Sequence, residues 1–411
     1  MHSSYRAAFN AAFTDELFSK YVADLQGRLS AESGFRLAET PVFLTEELTS
    51  RITTAAREIY DQLARPEAIA RMKSAIPERW NSPGMDALPQ LTQVDLAIVR
   101  EKDGSLGPRL IELQGFPSLS CFEVVQARAW SDALAGIPGL PEGPWSPYFS
   151  GLDEQGFLAL LRKVIVADED PEEVILMDLW PEKQKTWVDF SATKLLFGVD
   201  SVCPTTLEKE GRALYRRKDG RRIRVKRIYN RVVFDELIQR DVTLPFDYRE
   251  ELDVTWAPHP NWYWTWSKYS LPLLDHPAVP KARYLSEIDE LPADLTKRYV
   301  LKPLFSFAGG GVNVDPTPED VARVPENERS VWCLQEKIDY EPCLTAADGG
   351  GVKVEIRMMF FRPDGEPRPT LGLNLCRLSR GKMLGVDFNK DFTWVGSSVA
   401  IHPLSAETQP G

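Results

Sequence analysis

The sequence predicts an α+β protein, and three observations lead to that class. Residues from about 5 to 76 place apolar side chains at three- and four-residue spacing, as in Phe43, Leu44, Leu48, Ile52 and Ala56, which is the period of an amphipathic helix. Two pairs of strand-like runs are each joined by a turn containing Asp-Gly, a hairpin signal: VDLAIVR (94–100) with PRLIEL (108–113), and VKVEIRMMFF (352–361) with TLGLNLCRL (370–378). Between them, from about 151 to 245, helices and strands alternate.

Taken in order, the helical first region breaks at NSPGMDALPQ (81–90), and the first hairpin follows. A Pro/Gly-rich piece, Gly136 to Pro147, ends this unit. VILMDL (174–179) reads as a buried strand, and RIRVKRIYNRVVF (222–234) alternates like one half-exposed strand. HPNWYWTWSKY (259–269) is dense in aromatic residues. From about 270 the chain is α+β, with VWCLQEKI (331–338) a further strand before the second hairpin. The expected division is 1–150, 151–258 and 259–402, with a loose tail over 403–411.

Composition narrows the function classes. The 411 residues suggest two or three domains, with 43% hydrophobic and 27% charged residues, as in ordinary globular proteins. A net charge of −11 argues against general binding to nucleic acid or to an anionic membrane. No apolar run reaches the roughly 18 residues that a spanning helix needs. The opening MHSSYRAAFNAAFTDELF reads as an amphipathic helix and not as a signal peptide. Cys121, Cys203, Cys333, Cys343 and Cys376 are dispersed, which fits a reducing, cytoplasmic setting. Four histidines (His2, His259, His276, His402) give little basis for a zinc site.

The most informative segment is RYVLKPLFSFAGGGVNV (298–314). A β-like run ends in Lys302-Pro303. A loop containing Ser306 closes on Gly309, Gly310 and Gly311, and the run resumes at Val312. Successive backbone N–H groups in such a loop form an anion nest, and a preceding lysine adds a full charge, a combination suited to polyphosphate. A simple glycine-rich hairpin is the other reading. No Gly-Lys-Ser/Thr follows the glycines, so this is not a P-loop.

Three further constellations bear on chemistry. Gln335-Glu336-Lys337-Ile338, ending an apolar strand, would offer backbone groups to an adenine edge; it also reads as an edge strand with solvated charges. Glu112 and Gln114, at i and i+2 on a strand, share a face, and Asp95 on the neighbouring strand would supply a third oxygen. Oxygen donors of this kind suit Mg²⁺, and a polar strand face is the alternative. GFPSLSCFE (115–123) then leads into a helix whose start would receive an anion, with Ser118 and Ser120 as caps or ligand contacts. On the last hairpin Lys353, Arg357, Arg377 and Arg380 form a cationic set, with Arg357 and Arg377 across from one another toward phosphate or a solvated face. Asp387-x-Asn389 is a rival oxygen pair.

The order of these pieces resembles the circularly permuted ATP-grasp family, of which glutathionylspermidine synthetase is a member. The resemblance rests on Asp95, Glu112, Gln114, Pro117, Ser118, Leu119 and Glu123, on Lys302-Pro303 with Gly309–Gly311, on Gln335-Glu336, and on Gly372 to Arg377. It spans about 90–125 and 260–402. The family's metal-binding Asn is Gln114 here, its upstream Arg is Gln93, and its Arg-Glu-Gly is Phe307-Ala308-Gly309. The resemblance implies an ATP-grasp fold with an N-terminal helical region and a central α/β substrate domain. It also implies ATP and Mg²⁺ as cofactors, and ligation of a small-molecule carboxylate to an amine through an acyl phosphate. Lys302 and Arg377 would be catalytic. Ser306, Gly309, Gly310, Gly311 and Gln335 to Ile338 would hold ATP; Asp95, Glu112 and Gln114 the metal; Ser118 and Arg357 the substrate. Two rival readings are an ATP-binding protein without turnover or another phosphotransferase, and a partner- or sugar-binding surface at 259–269.

Overall fold

The computed structural model describes residues 1–116, 118–140, 145–305, 310–381, 389 and 391–403. Helices α1 (Ser3–Ala12), α2 (Asp15–Leu29) and α3 (Glu46–Leu63) open the chain. Strands β1 (Leu91–Arg100) and β2 (Leu106–Gln114) form a hairpin that leads into α4 (Ser120–Leu134). The middle alternates through α5 (Glu154–Ile165), β3 (Val174–Met177), α6 (Trp187–Phe197), β4 (Asp200–Val202), β5 (Arg227–Asn230) and β6 (Thr255–Ala257). Six later strands are β7 (Ala282–Tyr284), β8 (Tyr299–Pro303), β9 (Trp332–Glu336), β10 (Gly351–Phe361), β11 (Thr370–Ser379) and β12 (Gly396–Ser398).

Capping and periodicity explain the opening helices. Thr14 and Thr45 accept hydrogen bonds from Leu17 N and Leu48 N, satisfying amides that the helix itself cannot. Helix α3 then buries Leu48, Ile52, Ala56, Ile59 and Leu63 as one stripe.

The central sheet has the order β12-β11-β10-β1-β2 and is antiparallel throughout, with Leu344–Thr345 added beside β10. The early hairpin is therefore paired directly to the late one. Strand β1 is buried at every position except Arg100, so it lies between two packed layers. A second sheet, β6-β5-β3-β4, is parallel, and a third, β7-β9-β8, is small and antiparallel. The largest apolar cluster joins the N-terminal helices to the central sheet, a second surrounds the parallel sheet, and a third, much smaller one lies on β8 and β9.

Two expectations change. RIRVKRIYNRVVF is not one half-exposed strand: Arg221–Val225 pairs with Ala213–Lys218, whereas β5 belongs to the parallel sheet and is buried at all four positions. Arg227 suggests a solvent face, but its guanidinium is internal, donating to Val164 O, Ile165 O and Asp364. The three tryptophans of the segment 259–269 are interior as well, with Trp262 0%, Trp264 4% and Trp266 0% exposed, while Tyr263 and Tyr269 stay half-buried.

Helix α4 starts without a side-chain cap of its own. Asp189 of α6 does that work, accepting from Leu119 N at 3.0 Å, Cys121 N at 3.0 Å and Phe122 N at 2.9 Å, and pairing with the buried Arg231. Removing one partner of a buried pair leaves the other charge unsolvated. We expect Asp189→Ala to lower unfolding stability by about 3–5 kcal/mol, read from urea denaturation. A loss below about 1 kcal/mol, the value of an exposed pair, would contradict this role.

Candidate functional site

The charged centre follows from strand register. Asp95 stands opposite Arg357 across β1 and β10, and opposite Glu112 across β1 and β2. Glu355 stands opposite Arg377 across β10 and β11. Residues two apart share a face, so the three carboxylates and two arginines converge on one side of the sheet.

Arg357 grips Asp95 with two hydrogen bonds of 2.7 Å, one from Nε and one from Nη2. Arg377 Nη2 reaches Asp95 Oδ2 at 2.9 Å and Glu112 Oε1 at 3.7 Å, and its Nε donates to Glu355 Oε1 at 2.6 Å. Arg357 and Arg377 are thus diagonal, not directly opposite, and meet at Asp95. Lys268 Nζ lies 3.6 Å from Glu112 Oε2. Burial opposes ionisation of Glu112, but Lys268, Arg377, Arg357 and Lys302 outweigh it and pull its pKa down to about 2. Burial pushes the Glu355 carboxyl upward despite Arg377.

Lys302 comes to the same place from the small sheet. Its ammonium donates to Gln335 Oε1 at 2.5 Å and to Ile111 O at 3.4 Å, a carbonyl 191 residues earlier. Burial lowers its pKa from the ordinary lysine value. The loop after β8 is closed at its base by reciprocal 2.9 Å backbone bonds between Leu301 and Asn313. Gly311 has φ +72°, the left-handed region that favours glycine. Gly310 and Gly311 are described; Ser306 and Gly309 lie outside the described residues, as do Pro117 and Asp387.

A cavity of about 520 Å³ opens over this centre. Its polar wall holds Glu112, Gln114, Lys268, Arg357 and Arg377, and Arg36 and Lys185 also border it. Phe116, Tyr263, Trp266, Leu304 and Phe305 supply apolar wall, and Ser118 also borders it. Gly115 lets the short helix Trp262–Thr265 approach: its N–H donates to Trp266 O at 2.5 Å, and a Cβ there would come within 2.4 Å of Trp262 O.

The sequence-selected residues sort clearly. Asp95, Glu112, Gln114, Arg357, Arg377, Lys302 and Gln335 come together. Glu336 and Lys337 turn instead to Arg298 and Asp315 within the small sheet, and Ile338 follows them out of β9. Arg380 pairs with Asp348. The start of α4 is not open to an outside anion, because Asp189 occupies it, and Ser118 and Ser120 do not cap it. Reasoning from sequence missed Glu355, although it lies two residues from Arg357. It also missed Lys268, whose aromatic surroundings gave no such signal.

Of the three oxygen donors expected for Mg²⁺, only two border the cavity. Asp95 is fully buried with both oxygens held by guanidinium groups, so it anchors the arginines. Glu112 and Gln114 do fit a cation. The surrounding cations favour the carboxylate form of Glu112, and Gln114 Nε2 donates to Asp95 and Glu112, leaving its Oε1 buried without a hydrogen-bond partner among the described residues. Two such donors suffice for Mg²⁺ when phosphate and water complete the shell. Among the described residues no group of three or more His, Cys, Asp or Glu is arranged to hold a metal.

No family model matches the chain, and no curated protein sequence matches it. Among solved structures it is similar to a glutathione synthetase-like effector from Globodera pallida, determined in apo form. The two share 12% identity and a TM-score of 0.54 over 96% of this chain and 98% of that one. At that identity the likeness is one of fold: the chain has a glutathione synthetase-like α+β architecture.

The depressed pKa of Glu112 has a stability consequence. A carboxyl whose folded pKa lies below its unfolded 4.5 stabilises above pH 4.5 and loses that contribution as pH falls toward about 2. The stability gap between wild type and Glu112→Gln, followed by urea denaturation from pH 7 to 3.5, should narrow below pH 4.5. A gap independent of pH would show that Glu112 is not held by its cations.

Proposed function

We propose that the chain is an ATP-dependent carboxylate–amine ligase of the circularly permuted ATP-grasp type. One observation supports this above the others: Lys302, ahead of a glycine loop on the small sheet, is buried against Ile111 O beside Glu112 and Gln114. A phosphate-binding lysine and an oxygen-donor pair from opposite ends of the sequence thus share one site. The pairing of β1 with β10 brings the early hairpin beside the late one, which supports the permuted reading.

In this reading ATP lies between the small sheet and the central sheet. Ile338, just past β9, has no hydrogen-bond partner on its backbone among the described residues and would meet the adenine edge. Lys302, Gly310 and Gly311 face the phosphates, and Arg377 faces the transferring group. Glu112 and Gln114 would hold Mg²⁺, which neutralises phosphate charge. The substrate carboxylate attacks the γ-phosphorus, ADP leaves, and an amine displaces phosphate from the acyl phosphate. The chain's work is orientation, charge stabilisation and exclusion of water that would hydrolyse the acyl phosphate. The five cysteines, all free, support a reducing, cytoplasmic setting. Among the described residues no helix is long and apolar enough to cross a membrane.

A second reading, nucleotide binding without turnover, is favoured by the closure of the ionic centre, where Asp95, Glu112 and Glu355 are already matched by Arg357, Arg377 and Lys268.

Calorimetric titration of Mg²⁺-ATP into wild type, Lys302→Ala and Glu112→Ala tests the site. Binding to wild type should weaken in both variants, and ADP release with carboxylate–amine mixtures should fall by roughly 100-fold or more in Lys302→Ala. Binding without ADP release would favour the second reading. Absence of binding to wild type would remove both.

A further inference from the structure

We infer that the carboxylate taken by this cavity is a monoanion on an aromatic or branched apolar body, not a polar peptide acid. The inference deepens the ligase reading and rests on it for the fate of the acid, but not for its binding. The cavity is lined from the end of β2, the Tyr263–Lys268 segment, Leu304–Phe305, β11, β12 and Phe35–Arg36. The Gln335–Ile338 segment does not line it. The apolar walls therefore surround a space separate from the one assigned to adenine. At about 520 Å³ it accepts a molecule of drug-like size or smaller.

The chemistry of the walls selects the ligand. Phe116, Tyr263 and Trp266 form an aromatic side, and Leu375, Leu378 and Val395 face in from β11 and the approach to β12. These are held in place: Phe116 and Tyr263 meet edge to face at 6.4 Å, Trp266 lies 4.9 Å from Tyr60, and the Tyr263 hydroxyl is committed to Asp235 at 3.1 Å. A polar body would be stripped of water against these rings without compensating hydrogen bonds, which is costly.

The anionic head has one clear address. Lys268, Lys302, Arg357 and Arg377 lie among Asp95, Glu112 and Glu355. Arg377 is more exposed than the neighbouring Arg357 and Lys268, with 36% of its side chain accessible against 7% and 9%, while Arg36, which also lines the cavity, is paired with Glu39. Ser397 stands opposite Arg377 in the β11–β12 ladder, and its hydroxyl is buried with no partner among the described residues. A guanidinium beside an uncommitted hydroxyl suits one carboxylate. The single carboxylate on the wall, Glu112, disfavours a second anionic group nearby.

The test is calorimetric titration of the full chain, without nucleotide, using three probes: 3-phenylpropanoate, its amide 3-phenylpropanamide, and glutarate. 3-Phenylpropanoate should bind at least tenfold more tightly than either of the others. Ser397→Ala, a conservative change, should weaken 3-phenylpropanoate severalfold. Glutarate binding as tightly as 3-phenylpropanoate, equal binding of acid and amide, or no binding of 3-phenylpropanoate would each overturn the inference. The readout is independent of ATP. If 3-phenylpropanoate binds and Mg²⁺-ATP does not, the ligase reading falls and the apolar-acid site stands. If Mg²⁺-ATP binds and glutarate is preferred, the reverse holds.

Discussion

Burial of Asp95 is the constraint on which the site depends. A fully buried carboxylate is tolerable only with close cationic partners. Here those partners come from positions 262 and 282 residues later. The requirement joins the first hairpin to the last and fixes their register. A one-residue slip of β10 would turn Arg357 and Glu355 to the opposite face and leave Asp95 alone. The alignment of Glu112, Gln114 and Arg377 at the cavity wall is a consequence of that register.

The same device recurs at Asp189 and Arg231, with a different outcome. The amides at the start of α4 form the kind of anion site that a ligand commonly uses. An internal carboxylate takes it, so the helix is stabilised and its attraction for phosphate is spent inside the protein. Any affinity for a polyphosphate then falls to groups elsewhere, such as the cations of the central and small sheets. Binding by side chains from two sheets depends more on how those sheets meet than binding by one helix end would.

Much of this was legible in the sequence, for identifiable reasons. The hairpins announced themselves through Asp-Gly turns and long apolar runs, and i/i+2 spacing placed Glu112 with Gln114. Lys302 stood out because glycines followed it. Other features were hidden. Asp95 reads as a metal donor until its cross-strand neighbour is known to be Arg357, and that pairing is set by tertiary register. Arg227 mimics a solvent-facing residue while filling its hydrogen bonds internally. The capping of α4 by Asp189 links elements 70 residues apart and leaves no local motif. The aromatic segment reads equally as surface or core, and only the burial of Trp262 and Trp266 decides.

The small sheet brings Lys302 to the charged centre without a large core of its own. Its apolar cluster is modest beside the one under the central sheet, and segments with few buried contacts open at lower free-energy cost. Lys302 is the charged group by which this sheet touches the central one, through Ile111 O. Burial disfavours its ammonium form, and the nearby Glu112 and Glu355 offset that cost only in part. A phosphate placed beside it would add negative charge and favour that form further.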